Sequence, residues 1–397
     1  MPPAPVSITA YTLTSALGAG RAATLAALRG ARPGLRPGAF PGLDLDTWVG
    51  AVDGLDAAPL TGALADYDCR NHRLTALALG QDDFSARVAD AARRYGAARI
   101  GVFLGTSTSG LHHTEQCYRR HFDQGTAGLE ADLRYPYTHT NFALAAYARR
   151  QLALAGPALV ISTACSSGAK AIAAGHRYLR AGLCDAAVVG GVDSLCAITL
   201  CGFKSLELLS PRPASPWGLR RTGISIGEGA GFLLLERDPP TAGQPALLGY
   251  GESSDAHHIS SPHPDGDGAV LAMTAALAQA GLTPADIDYI NLHGTGTIAN
   301  DSAEDRAVTR VFGPTVAASS TKGATGHTLG AAGALEAVLS LVCIAGGLLP
   351  GTQGTDTQDP ALALRVLTHP RAGSPRRVLS NSFGFGGSNC CLILGVP

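Results

Sequence analysis

The sequence predicts an α/β layered fold, and three observations carry that expectation. Short apolar runs of strand length alternate with Ala- and Leu-rich stretches of helical length. Glycine is frequent, 50 of 397 residues, against an ordinary usage of about 7%. Only 15% of the chain is charged while 46% is hydrophobic, which leaves ample material for a large core and little charged surface.

Residues 6–11 read as the first strand, and 20–29 as a helix after a Gly-rich turn. A second strand, 98–104, ends in the polar loop Gly105-Thr-Ser-Thr-Ser-Gly110. A short apolar strand at 157–162 runs into a helix at 168–181 with small residues on most faces. Residues 186–190 and 231–236 are buried-strand candidates. A second set follows: helix 269–280, strand 289–292, helix 302–311, helix 330–345, and strands 378–382 and 391–394. The turn-forming Asp238-Pro-Pro-Thr-Ala-Gly-Gln-Pro245 makes 238–250 the expected seam between two α/β halves, residues 1–240 and 241–397.

Several function classes are disfavoured by composition. Thirty Lys+Arg balance 31 Asp+Glu, so a nucleic-acid platform is not expected. The longest uncharged runs, 151–169 and 337–355, are interrupted by Pro157 and a Ser/Thr/Cys cluster and by Gly346, Gly347, Pro350 and Gly351, so no membrane span is expected. The start, Met1-Pro-Pro-Ala-Pro5, lacks the pattern of a signal peptide. None of the nine cysteines forms a C-x-x-C pair. Reduced, mostly buried thiols in a cytoplasmic enzyme are therefore the expectation.

Four segments carry chemistry. In Ser162-Thr-Ala-Cys-Ser-Ser-Gly168 a strand runs into a helix with Cys165 at the turn, where free N–H groups and the helix dipole favour a thiolate. Asn291-Leu-His-Gly-Thr-Gly-Thr297 is an apolar strand ending in His293 and a hydroxyl-rich loop. Lys322-Gly-Ala-Thr-Gly-His327 precedes Gly330-Ala-Ala-Gly-Ala-Leu-Glu336, a helix so small-faced that another segment must pack against it. Asn381-Ser-Phe-Gly-Phe-Gly-Gly-Ser-Asn389 combines flexible glycines with two bulky rings, without the spacing of a phosphate-binding loop. One cysteine with two histidines reads as a nucleophile with two proton or hydrogen-bond partners. Structural roles for each residue, and a metal site built from Cys165, His293 and His327, are the competing readings.

Taken together and in this order, the four segments resemble the β-ketoacyl-[acyl carrier protein] synthases, condensing enzymes of the thiolase-like superfamily. The resemblance covers essentially the whole chain, including Gly251-Glu-Ser-Ser-Asp-Ala-His-His-Ile-Ser-Ser-Pro262. It implies a duplicated αβαβα fold and a dimer. It implies that Cys165 is acylated, and that His293 and His327 assist decarboxylation of malonyl-carrier protein. Lys322 would organise the charges around His327 with Glu336 as partner, and the N–H groups of Cys165 and Phe383 would form the oxyanion hole. Thr295 and Thr297 would line the phosphopantetheine channel, and Phe385 would gate the acyl pocket. Asp301 and Glu304 would support the His293 loop. Arg212 and Arg134 would dock an acidic acyl carrier protein, the bearer of the phosphopantetheine, with no other cofactor required. Asn291, Glu336, Ser380 and Asn381 fall where some members hold a monovalent cation.

The lysine motif departs from many members at Gly323, and the cysteine motif at Ser162. Thr108 replaces an apolar group common at the pocket floor of fatty-acid enzymes, implying a different acyl chain. Three segments, Cys69-Arg-Asn-His-Arg73, Gly105-Thr-Ser-Thr-Ser-Gly-Leu111 and Arg221-Thr-Gly-Ile-Ser-Ile-Gly-Glu228, resemble ketosynthases of aryl polyene and xanthomonadin-type pigment clusters, which pair with a ketosynthase-like chain-length subunit. The partner in the dimer is then either a second copy or such a subunit. A fatty-acid elongation enzyme, a catalytically silent chain-length subunit and a thiolase using Cys390 or Cys391 are the alternatives.

Overall fold

A computed structural model describes residues 5–38, 43, 45–125 and 133–397. Its first half contains strand β1 (Val6–Ser15), helices α1 (Gly20–Arg29), α2 (Arg70–Leu79) and α3 (Phe84–Tyr95), and strand β2 (Ile100–Gly105). Helices α4 (Leu111–Gln124) and α5 (Phe142–Gln151) lead to β3 (Ala158–Ile161), α6 (Ser167–Arg180), β4 (Ala186–Asp193), α7 (Ala197–Ser205) and β5 (Gly229–Glu236). The second half comprises β6 (Ala246–Ser254), α8 (Asp267–Ala280), β7 (Tyr289–Asn291), α9 (Ile298–Phe312), β8 (Ala318–Ser319), α10 (Ala332–Gly346), β9 (Arg377–Gly384) and β10 (Ser388–Gly395).

The two halves repeat one strand plan. The first is ordered β1-β5-β4-β2-β3 and the second β6-β10-β9-β7-β8. In each, the first two pairings are antiparallel and the last two parallel. The duplication implied by the sequence is thus written in the hydrogen-bond ladder. β1 and β6 join the halves through Val6↔Leu247 and Ser7↔Ala246.

Helices α6 and α10 form the middle layer, with outer helices α2, α3 and α5 covering one half and α8 covering the other. Small residues let the two central helices approach closely. A Cβ on Gly168 would meet Ala334 N at 2.8 Å, and one on Gly333 would meet Ala169 N at 2.8 Å. The small-faced helix predicted from sequence therefore has its partner in α6. The stretch Leu329–Gly346 is long and apolar enough to cross a membrane, and 83% of it is buried inside the molecule as this central helix.

The helices at Arg70–Leu79, Phe84–Tyr95, Leu111–Gln124, Phe142–Gln151 and Ala197–Ser205 have no counterpart among the predicted elements. α4, LHHTEQCYRRHFDQ, is too polar to announce a core face. β6 also begins inside the expected seam, because the turn ends by Pro245 and Ala246 already pairs with β1 and β10.

Candidate active site

The close packing of α6 against α10 brings the start of one helix beside the residues that precede the other. Ala164 adopts a left-handed backbone conformation (φ 52°), which turns the chain sharply from β3 toward α6. The turn is pinned by the Ser167 hydroxyl, which receives the Thr163 N–H at 2.8 Å and donates to the Ala164 carbonyl at 2.5 Å. Cys165 projects from this turn into a cavity of about 190 Å³, lined also by His293, His327, Thr295, Thr297, Phe203, Phe383 and Phe385.

His327 Nε2 lies 3.0 Å from Cys165 Sγ. Its Nδ1 accepts the Leu329 N–H at 3.2 Å, so the ring proton sits on Nε2 and points at the sulphur. His293 is arranged in the same sense. Its Nδ1 faces the Lys322 ammonium at 3.4 Å, which leaves Nε2 to carry the proton. The two rings lie 5.3 Å apart at 83°. Burial, reinforced by the Lys322 charge, holds both imidazoles well below their usual pKa, so both are neutral donors.

These tautomers also decide the metal reading. Ligand atoms of Cys165, His293 and His327 lie within 4.8 Å of one another. A metal needs the Nε2 lone pairs, however, and the donors facing each Nδ1 put protons there. The trio is built to donate hydrogen bonds.

Lys322 is 1% exposed and its ammonium is bonded to Glu336 Oε1. Burial raises the Glu336 carboxyl to about 7 despite the lysine. The ammonium faces His293 directly, and its charge also acts on His327, with Glu336 as its partner as the resemblance implied. The helical turn Lys322–Thr325, closed by Gly326 (φ 74°), separates the lysine from His327.

The His293 loop hangs on carboxylates. Glu304 accepts the N–H groups of His293 (2.7 Å) and Gly294 (2.8 Å), and Asn381 Nδ2 donates to it at 3.0 Å. Burial raises Glu304 to about 7 against these bonds. Asp301 accepts the N–H groups of Trp217 (2.9 Å) and Gly296 (3.2 Å). Burial pushes its carboxyl upward.

The backbone N–H that acts on the Cys165 thiol is that of Phe385 rather than Phe383. Phe383 lies within the β9–β10 ladder opposite Asn389, and its ring packs against His293 at 5.8 Å. Phe385 lies in the turn beyond β9, with its ring 5.7 Å from Phe203 at the cavity wall. The thiol is not held low, as the helix start suggested. Burial pushes Cys165 up to about 11, offset in part by Lys322 and the Phe385 N–H.

Thr108 is engaged through its hydroxyl. Its hydroxyl donates to Asp193 Oδ1 at 2.7 Å and accepts the Ser194 N–H, and it is not among the residues lining the Cys165 cavity. Asp193 further receives Thr106 Oγ1 and the N–H groups of Ser107, Thr108 and Gly330, tying the loop after β2 to the entry of α10. This carboxylate at the end of an otherwise apolar strand was not singled out from sequence, although its position was the available signal.

Arg134 and Arg212 are exposed, donate to the carbonyls of Ala65 and Arg220, and do not line the Cys165 cavity. Cys390 and Cys391 are buried in β10 with thiols pushed upward by burial, and neither lines that cavity.

The oxygen set implied for a cation fits in part. Asn291 Oδ1, Glu336 Oε2 and Ser380 Oγ, with neighbouring Ser382 Oγ, are buried without a hydrogen-bond partner among the described residues. Asn291 and Ser380 are register partners across β7 and β9, and Gly333, one turn before Glu336, backs onto the Ser382 hydroxyl. Hard oxygens of this kind suit an alkali cation. Asn381 is excluded from the side-chain set, because it holds Glu304 and accepts from Cys391.

Comparison with known proteins agrees with this geometry. The profile of the Beta-ketoacyl synthase N-terminal domain matches residues 80–240, and that of the C-terminal domain matches 246–356. The chain is 36% identical to the 3-oxoacyl-[acyl-carrier-protein] synthase 2 of Vibrio cholerae, over 75% of this chain and 76% of that one. It is 44% identical to a mitochondrial 3-oxoacyl-[acyl-carrier-protein] synthase of Arabidopsis thaliana, over 60% of this chain and 56% of that one. It is 43% identical to a 3-oxoacyl-[acyl-carrier-protein] synthase 2 of Rhizobium meliloti over 61% of each. Among solved structures, the ketosynthase ApeO of Xenorhabdus doucetiae, in complex with its chain length factor ApeC, superposes with a TM-score of 0.92 at 42% identity, covering 99% of this chain and 98% of that one. The ishigamide ketosynthase/chain length factor superposes with a TM-score of 0.88 at 29% identity, covering 99% of each. With its Cys165–His293–His327 cavity and a family match across both halves, the chain belongs to the β-ketoacyl synthase family.

Proposed function

We propose that this protein condenses an acyl group with a malonyl group by decarboxylation, both delivered as phosphopantetheine thioesters on an acyl carrier protein. The observation that carries the reading is the convergence of two Nε2–H donors on one cavity with the Cys165 sulphur, 3.0 Å from one of them.

In the first half-reaction Cys165 Sγ attacks the acyl thioester carbonyl. The oxyanion is held by the Cys165 and Phe385 N–H groups. The C–S bond of the donor breaks, and phosphopantetheine leaves as the thiol with the proton that Cys165 loses. A thiol at about 11 stays protonated until a thioester arrives to receive its electrons. In the second half-reaction the malonyl C–C bond breaks and CO2 leaves. The electron pair enters an enolate whose oxygen is held by His293 and His327 Nε2–H. The carbanion attacks the Cys165 thioester, the C–S bond breaks, and the Cys165 thiolate takes up one proton from solvent. The sequence is ping-pong, with no base needed to remove a carbon-bound proton. A monovalent cation at Asn291, Glu336 and Ser380 would balance buried carboxylate charge.

We assign the pathway to aryl polyene-type or related polyketide synthesis, with fatty-acid elongation as the alternative. Support comes from the three pigment-type segments and from the likeness to ApeO. The partner we assign is a ketosynthase-like chain-length subunit or a second copy. β3 is an edge strand with Leu159 38% exposed, and Phe122 and Phe142 are exposed apolar side chains. Arg212 and Arg134 are our candidates for carrier docking. The nine free cysteines support a reducing, cytoplasmic setting.

The test is intact-mass analysis after mixing with saturated, polyenoyl and aryl-primed acyl-carrier proteins. A single adduct lost in Cys165→Ala and formed fastest from polyenoyl or aryl groups is expected. Adducts fastest from saturated chains would return the protein to fatty-acid elongation, and no adduct would refute the activity.

A further inference from the structure

The wall of the acyl cavity depends on a residue outside it. α7 supplies Phe203, and Leu206 follows at its end; both line the Cys165 cavity. Phe203 packs on Phe385, whose N–H reaches the nucleophile. α7 packs inward chiefly through Leu200 and Phe203, which join a cluster with Val49, Leu195, Ile224 and Ile226. Of its nine residues only Ala197 and Leu200 are buried, while Ile198, Cys201, Gly202, Lys204 and Ser205 are exposed. Its N-cap residue, Cys196, makes no side-chain cap, and its first turn contains no acid.

The missing cap is supplied from 82 positions away. Glu115 on α4 accepts the Ala197 N–H at 2.9 Å with Oε2 and the Ile198 N–H at 2.6 Å with Oε1. A half-buried carboxylate spanning two helix-start donors fixes both the position and the direction of the helix axis, and it complements the positive dipole end. The segment entering α7 is fixed independently, by Ser194 N–H to Thr108 Oγ1 and Leu195 N–H to Glu228 Oε2. Glu115 therefore governs α7 itself rather than the end of β4. Phe203 and Leu206 stand at the far end of this nine-residue helix, whereas the His327–Cys165 and Lys322–His293 contacts are made without any residue of α7.

We propose that Glu115 is a positioning residue that sets acyl-chain acceptance by holding α7, and through it Phe203, against the gate residue Phe385. The proposal rests on the condensing reading above. The experiment compares Cys165 acylation by butyryl and dodecanoyl carrier thioesters in the full-length wild type, Glu115→Ala and Glu115→Gln. The expected result is that the dodecanoyl-to-butyryl rate ratio shifts by about tenfold or more in Glu115→Ala, in either direction, with a smaller shift in Glu115→Gln, which keeps one acceptor. Cys165 alkylation by iodoacetamide and CO2 release from malonyl-carrier protein should stay within about twofold of wild type, which a general loss of structure would not allow. An unchanged ratio in a folded variant overturns the proposal, as does an equal loss of both acyl rates together with alkylation and decarboxylation. If Glu115→Ala fails to fold, an unchanged ratio in Glu115→Gln overturns it. A wild type that accepts neither thioester defeats the condensing reading instead.

Discussion

Replacing His327 by Ala should separate the two half-reactions. In the structure the ring holds its proton on Nε2 because Leu329 N–H occupies Nδ1, and Nε2 lies 3.0 Å from the sulphur. During decarboxylation the enolate oxygen has two donors, His293 and His327, and losing one donor to a developing oxyanion costs about 2.7–4 kcal/mol, or 10²–10³ in rate. The thiolate also has the Phe385 N–H and the Lys322 charge. Losing one of its charge-assisted hydrogen bonds therefore costs about 1.5–3 kcal/mol at most, and less in so far as the others compensate. His327→Ala should then cut CO2 release from malonyl-carrier protein by about 10²–10³ while slowing Cys165 alkylation by iodoacetamide about tenfold. Radiometric CO2 release and alkylation followed by intact mass measure the two quantities separately. Equal losses in both assays, or decarboxylation within a few-fold of wild type, would refute the assignment of Nε2–H as an enolate donor.

Thr108→Val should destabilise the protein by about 1–3 kcal/mol in urea unfolding, because the Ser194 N–H loses its acceptor. It should leave the chain-length preference of Cys165 acylation unchanged, since the hydroxyl is spent on Asp193. Glu304 is raised to about 7 when folded, from an ordinary value of 4.5. The folded state thus keeps a proton that the unfolded state has released, and the contribution to stability is full below about 4.5 and is lost as pH rises through about 7. Glu304→Gln should flatten the fall of the urea midpoint across that window, leaving the share that Glu336 contributes in the same direction. An unchanged slope would remove Glu304 from the titration.

Much of the site was legible in the sequence because its residues announce chemistry locally. Cys165 at a strand-to-helix turn, His293 closing an apolar strand and a helix of small residues each carry their signal within a few positions. The strand-and-helix alternation likewise follows from side-chain periodicity, which is a local property. The repeated β1-β5-β4-β2-β3 and β6-β10-β9-β7-β8 plans are consistent with it but depend on pairings far apart in the chain.

What only the tertiary structure decided are the choices between chemically equivalent neighbours and the uses of groups brought in from afar. Phe383 and Phe385 are indistinguishable by type, but the first sits in the ladder opposite Asn389 while the second lies in the turn, with its N–H reaching Cys165. Lys322 stands five residues from His327, yet its ammonium faces the ring of His293, 29 positions away. Thr108 looked like pocket floor, and Asp193 claims its hydroxyl. Asn381 looked like a cation ligand, and the pleat of β9 aims it at Glu304 instead. α7 has no acid of its own to start it, and the one it uses comes from α4. In each case the residue type was visible from the outset. Its role depended on backbone register and on packing between segments distant in sequence, and neither is encoded within the span of a motif.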